Sequence, residues 1–203
     1  RAEAAAEVLR LQRQRFRLNL RVTPERLTFV IVLICGLVVA YYRIDSAPRG
    51  MIPDHVEIIL DLVRINEGLY STYFGANSGR EPLFFYMSYG YVPLFGYSFL
   101  TLKHASTLSV VLCLPSLYVF GREVDGRMTG LLTMALGAFS VWMLITGRSG
   151  FRAALTPLFV AMFLTVFWRA LYDGRRSDYV FAGLILGLGQ YTYTSFRIVP
   201  LAV

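Results

Sequence analysis

Two short charged stretches and three later arginines carry the side chains able to do chemistry. The stretch Ile52-Pro53-Asp54-His55 sets a carboxylate beside an imidazole, and Arg80-Glu81-Pro82 sets a guanidinium beside a second carboxylate. Arg148, Arg152 and Arg197 follow downstream. A carboxylate can take a proton from a hydroxyl that attacks another group. Guanidinium forks make bidentate, charge-assisted bonds to phosphate, so the close pair Arg148 and Arg152 suits a phosphate. Each residue also has a purely structural reading. Asp54 with Glu57 three residues on resembles a capping box, with Asp in place of Ser or Thr. Glu81 can pair with Arg80 or a loop arginine, His55 can be an interfacial residue, and Arg148 and Arg152 can snorkel to a membrane surface. No phosphate-cradling nucleotide motif, nucleophile elbow or zinc spacing accompanies them, so a soluble nucleotide-sugar donor is not suggested.

The chain that must position these groups is apolar. Of its 203 residues 56% are hydrophobic and 16% charged, and its mean hydropathy is +0.53. Long apolar runs broken by short arginine-bearing turns read as an all-α, polytopic transmembrane helical bundle. The net charge of +7 does not imply nucleic acid, because the basic residues are arginines apart from Lys103 and many precede Leu27. A basic arm against a membrane is the simpler account. Cys35 and Cys113 both lie in apolar runs, which argues against a disulfide or a metal site built on them. The chain begins at Arg1 and stops at Val203 inside a new apolar run, and so reads as the N-terminal part of a longer protein.

In chain order, residues 1–26 read as a basic cytoplasmic arm, with Arg10, Arg13 and Arg17 on one helical face. It either binds anionic headgroups or stays solvated. Thr23 can N-cap a helix with Pro24 in its first position, running to Tyr42 and crossing the membrane. The arginines before it keep the N-terminus cytoplasmic and put residues 43–99, the first outer loop, on the far side. There residues 54–67 form an amphipathic helix. Val56, Ile59, Leu60 and Val63 lie on one face, with Asp54, Glu57, Asp61 and Arg64 opposite, so the helix lies on the membrane. Residues 82–96 are apolar but short, contain Pro93, and read as a second interfacial helix rather than a crossing. Crossings then follow at residues 100–120, 128–146, 153–171 and 179–195, with Ile198 starting another. Gly183, Gly187 and Gly189 suit close helix packing, and Tyr191, Tyr193 and Phe196 suit an interfacial aromatic belt or, as the alternative, stacking on sugar or lipid.

One membrane span precedes an acidic pair that opens an amphipathic helix. A charged-residue-Pro motif, an aromatic helix and close-set spans come next. This order, from about Leu27 to Val203, resembles the GT-C superfamily of polyprenyl-phosphate-dependent glycosyltransferases, nearest to the protein O-mannosyltransferases and the lipid A aminoarabinose transferases. The resemblance implies a GT-C bundle with interfacial helices in the first outer loop. Asp54 matches the family's first-loop Asp, a catalytic base or acceptor-orienting carboxylate. Glu81-Pro82, preceded by Arg80, matches its charged-residue-Pro element, and Thr156-Pro157 its later Asp-Pro. Two departures stand out: His55 replaces the usual Glu, and Thr156 replaces the second Asp.

The resemblance implies a multi-pass protein of the plasma (inner) membrane with its active site on the outer face. It would move a sugar from a polyprenyl-phosphate-linked donor to a hydroxyl on a protein, lipid or glycan acceptor. Asp54 is then the base, assisted by Glu81. Arg80, Arg148, Arg152 and Arg197 bind donor phosphate, and His55 contacts the acceptor or a metal. No cofactor follows from the residues, though a divalent metal is admissible. The partners implied are the lipid-linked sugar, the acceptor and membrane lipids, with no nucleic acid. Two other classes stay open: a transporter or flippase of a lipid-linked anion using the same arginines, and a non-catalytic membrane subunit.

Overall fold

The computed structural model describes residues 23–76 and 79–202. Most of the expected basic arm, residues 1–22, lies outside them. Among the described residues there are helices and no strands. The one extended pairing is an isolated antiparallel bridge between Phe74 and Arg80.

Helix α1, Pro24–Tyr41, begins as its sequence demands. Thr23 is extended, its hydroxyl accepts the Arg26 N–H at 3.3 Å, and Pro24 occupies the first turn, where it has no N–H to waste. Its mostly apolar surface and its length suffice to cross a membrane. Then come α2 (Pro53–Asn66), α3 (Leu83–Tyr89) and α4 (Val92–Phe95). At 1.5 Å per residue α3 and α4 are only about 10 and 6 Å long, far short of a bilayer. The whole stretch between α1 and the next long helix therefore stays at one end of the bundle, as expected for residues 82–96.

That next helix, α5, is Phe99–Ala138, capped by the Ser98 hydroxyl on the Thr101 N–H. It is bent back on itself at Asp125 and Gly126, where Gly126 has φ 78°. The two arms run antiparallel and touch through glycine. A Cβ on Gly121 would lie 2.9 Å from the Thr129 carbonyl oxygen, and one on Gly130 would lie 2.6 Å from the Tyr118 carbonyl oxygen. The expected crossings 100–120 and 128–146 are thus a helical hairpin. Its second arm breaks at Phe139 and resumes as α6, Val141–Arg148, capped by Ser140. Helix α7, Leu155–Asp173, follows a single 3₁₀ turn at Arg152–Ala154, and Arg152–Asp173 as a whole is apolar and long enough to cross. Helix α8, Arg176–Gly189, packs beside α7.

The C-terminal stretch differs from the sequence expectation. Helix α8 stops at Gly189 rather than reaching residue 195. The chain folds back there so that Phe196 sits where a Gly189 Cβ would be, 2.1 Å from its ring. Ile198 does not start a new helix but lies in a 3₁₀ stretch, Thr194–Leu201, that contains Pro200. Phe196 is fully buried, not part of an interfacial belt. Of the three glycines expected to allow close packing, Gly189 does so, against Phe196, while nothing among the described residues lies within 4 Å of a Cβ at Gly183 or Gly187; other close approaches include Gly36, Gly121, Gly130, Gly137 and Gly147.

Two charge clusters mark the ends of the bundle. At one end Glu25, at the start of α1, takes the Tyr118 hydroxyl and pairs with Arg122 at 3.5 Å and Arg127 at 3.2 Å. The start of α1 and the bend of α5 therefore share that end. The opposite end holds the segment after α1, helices α2–α4, the α6–α7 turn and the chain after α8. It is here that the candidate chemistry gathers.

Candidate functional site

Helix α2 supplies the first layer. Its N-cap is Ile52 with Pro53 in the first turn, and the partner that closes the cap is His55, whose Nδ1 accepts the Ile52 N–H at 3.2 Å. The expected Asp54–Glu57 box is thus replaced by a histidine reaching back, because Pro53 starts the helix one residue earlier. Asp54 stands in the first turn, partly buried. Asp61 lies seven residues on, two turns and about 10 Å along the same face. That face turns inward: His55, Ile58, Asp61, Leu62 and Ile65 are buried. Val56 and Leu60 stand outward, leaving an apolar stripe free for a membrane surface.

Asp61 turns inward because it meets Arg80. The two form a buried ion pair through Arg80 Nη2 and Asp61 Oδ2, and Arg64 bonds the other carboxylate oxygen at 2.8 Å. Arg80 is held from all sides. Its backbone bridges Phe74, with N–O distances of 2.7 and 3.0 Å, and its guanidinium lies 5.1 Å from the centroid of the Phe85 ring, which stacks on Phe74 at 4.4 Å. It has no exposed surface. Its Nη2 is committed to Asp61, while its Nε and Nη1 are buried with no hydrogen-bond partner among the described residues.

The next residue, Glu81, is buried but not spent. Oε1 accepts from the Thr194 hydroxyl at 3.0 Å and from Arg197 Nη2 at 3.1 Å, while Oε2 is buried with no partner among the described residues. A backbone bond from Leu83 N–H to the Tyr191 carbonyl, 3.1 Å, ties the two segments together. Arg197 itself is about half exposed. Beside Thr194, Tyr193 lies under the Arg152 guanidinium, 5.3 Å from ring centroid to Cζ. Arg152 is buried, and its Nε and Nη1 have no hydrogen-bond partner among the described residues. Thr156, one helical turn beyond Arg152, also has a buried hydroxyl without a partner. A buried acid and a buried base, each with open hydrogen-bonding capacity, thus meet through the adjacent residues Tyr193 and Thr194.

Arg148 is placed elsewhere. Its Nη1 donates to the Val39 carbonyl at 3.1 Å, and Nη2 to those of Arg43 and Ala47 at 3.4 and 3.1 Å. It caps the C-terminal end of α1, where unpaired carbonyls and the helix dipole attract a cation. Lys103, to which sequence reasoning assigned no role, does the same work nearby. Its buried ammonium bonds the carbonyls of Ile44 and Pro48 at 2.8 and 2.7 Å and lies 4.7 Å from the centroid of the Phe99 ring. Together they fix the chain that leads into α2.

His55 packs against Phe99, ring centroids 4.7 Å apart. Burial pushes its pKa below the ordinary histidine value. The nearby Asp54 charge opposes this and the Lys103 charge adds to it. Among the described residues no three of His, Cys, Asp and Glu gather closely enough to hold a metal ion.

One comparison bears on this arrangement. Residues 79–203 match the family model described as dolichyl-phosphate-mannose-protein mannosyltransferase. That stretch starts just before Arg80-Glu81-Pro82 and includes Arg152, Tyr193 and Arg197. No curated protein and no solved structure matches the chain.

Proposed function

The chain belongs to the dolichyl-phosphate-mannose-protein mannosyltransferase family, membrane glycosyltransferases of GT-C type, and from that premise we propose a specific transfer. The protein moves a sugar from a polyprenyl-phosphate donor to an acceptor hydroxyl at the end of the bundle formed by α2 and the α6–α7 turn. That end faces away from the cytoplasm in the plasma membrane, and the acceptor is a protein in the first instance.

The residues divide the work. The acceptor oxygen attacks the anomeric carbon while its proton passes to the Asp54 carboxylate. The bond between that carbon and the phosphate oxygen breaks, and the electron pair stays on the lipid phosphate. Arg152, with unpartnered N–H groups in a buried setting, takes up the growing phosphate charge. A preorganised cation is worth most where water is excluded. Arg197 adds a second, exposed cation and is aimed by Glu81. Arg80 and Arg148 hold the two loops that carry these groups.

The observation that supports this reading most directly is the pairing of open capacity at Glu81 Oε2 and at Arg152 Nε and Nη1. Buried polar groups left unpaired cost about 1–3 kcal/mol each, more when charged, so such sites are kept where a ligand completes them.

The test is sugar release from radiolabelled polyprenyl-phosphate mannose by purified full-length protein in lipid, with wild type, Asp54→Asn and Arg152→Gln compared after each is confirmed folded. Asp54→Asn is expected to lose roughly 10²–10⁴-fold in turnover. Unimpaired transfer by folded Asp54→Asn would remove it as base. No turnover together with specific lipid-phosphate binding would move the assignment to a transporter of lipid-linked anions.

A further inference from the structure

Beside the proposed base lies a cleft of about 350 Å³, lined by Gly50, Ile52, His55, Phe99, Ser149 and Phe151 among others. That volume is at the small end of ligand pockets, which span about 300–1,000 Å³, and suits one ring rather than an extended strand. The polar groups on its wall are defined by their other bonds. His55 Nδ1 is an acceptor, taking the Ile52 N–H at 3.2 Å. In the neutral ring the proton therefore sits on Nε2. Nε2 is buried, in a residue only 4% exposed, and has no partner among the described residues. It is an N–H donor waiting for an oxygen.

Ser149 has the complementary character. Its hydroxyl already donates to the Thr146 carbonyl at 2.9 Å, so only its lone pairs remain to offer. One donor and one acceptor match hydroxyl groups, which both accept and donate. The rest of the wall, Ile52, Phe99 and Phe151, is apolar or aromatic and suits the C–H face of a ring. An anion is poorly matched, because the neutral imidazole brings no charge and Lys103 is already committed to Ile44 and Pro48.

We propose that this cleft binds a hydroxylated pyranose ring, with His55 Nε2–H donating to one of its hydroxyls. The inference deepens the transferase reading and rests on it for the source of the ring, which is either the donor sugar or a glycan acceptor.

The experiment labels histidine with nitrogen-15 in the full-length protein in nanodiscs and assigns the His55 imidazole by its loss in His55→Gln. Three probes are titrated: polyprenyl-phosphate mannose, methyl α-mannopyranoside, and polyprenyl phosphate without sugar. The expected result is an Nε2-protonated ring whose signal shifts saturably with a mannosyl probe and not with the sugar-free lipid. A response to the lipid-linked sugar assigns the cleft to the donor, and one confined to the methyl glycoside assigns it to an acceptor glycan. Half-saturation by the mannosyl probe, followed by calorimetry because these variants lack the imidazole, should rise roughly tenfold in His55→Leu and little in His55→Gln, which keeps an N–H donor. An Nδ1-protonated ring, an equal response to the sugar-free lipid, or no response to any probe overturns the proposal. Turnover measured on the same samples separates the two readings. Transfer without an imidazole response removes the sugar cleft alone. A sugar-dependent response without transfer keeps the cleft and removes the transferase reading.

Discussion

Asp61 and Arg80, nineteen residues apart, form a buried ion pair that joins α2 to the loop carrying Glu81. Neither is appreciably exposed, and each has a second anchor: Arg64 on Asp61, the Phe85 ring under Arg80. The pair fixes the distance between the N-terminal turn of α2, where Asp54 sits, and the acid at position 81. It therefore ties together the two stretches that hold the carboxylates proposed to act.

Removing one partner leaves the other charge buried and uncompensated. Asp61→Leu is expected to cost about 3–5 kcal/mol of stability, while the double replacement Asp61→Leu with Arg80→Met recovers much of it, because a matched apolar pair carries no desolvation penalty. Unfolding in detergent by denaturant, monitored by circular dichroism, measures both. A double variant no better than the single one would show that Arg80 holds the loop by something other than its charge.

The hairpin within α5 depends on bare backbone. Gly121→Val would press a side chain against the Thr129 carbonyl and the Gly130 Cα, at 2.9 and 3.0 Å, neither of which can rotate away. We expect a loss of about 1–3 kcal/mol and separation of the two arms. Gly183→Ala, where a Cβ meets nothing within 4 Å, is expected to be tolerated. Comparing the melting temperatures of the two variants in one detergent checks the contrast.

Much of the fold was legible because its signals are local. Thr23-Pro24 announces the start of α1, and residues 82–96 are too short and too broken by Pro93 to cross. What could not be read depends on contacts distant in the chain. The apolar positions Val56, Ile59, Leu60 and Val63 gave the right helix, but only Val56 and Leu60 stand outward, and Ile59 packs against the core. Arg80, nineteen residues beyond Asp61, is what lets that one carboxylate of the charged face be buried. Arg148 and Arg152 look alike in sequence, four residues apart. One meets the carbonyl end of α1 and the other meets Tyr193, a difference set by packing of helices more than forty residues away. Lys103 offered a signal that was passed over: a lone lysine near the start of an apolar span must find oxygen atoms, and it finds Ile44 and Pro48.

His55 should make stability depend on pH. Burial lowers its pKa from the ordinary value of 6.5, with Asp54 opposing and Lys103 adding to the shift. The unfolded chain then binds a proton more readily than the folded one. The stability this neutral histidine contributes is fully present above 6.5 and is lost as pH falls from there through the lower folded value. Wild type should lose stability in that window more steeply than His55→Gln, which cannot titrate. Thermal midpoints at a series of pH values between neutral and mildly acid would show it, and parallel curves would mean that His55 titrates alike in both states.

Glu81 offers the sharpest test of whether the buried acid positions Arg197 or does more. Its Oε1 takes both Thr194 and Arg197, and its Oε2 is open. Glu81→Gln keeps an oxygen for Thr194 but removes the charge that holds Arg197 and replaces the open oxygen with an amide. A charge-assisted bond is worth about 1.5–3 kcal/mol, so turnover should fall roughly tenfold to a hundredfold with the fold retained. If Glu81 acts only through Arg197, then Arg197→Gln should lose as much, and the double variant no more than either single one. If Oε2 also meets the reacting groups, Glu81→Gln should lose more than Arg197→Gln, and in kcat rather than in KM. Single-turnover rates with polyprenyl-phosphate mannose for the three variants decide between the two.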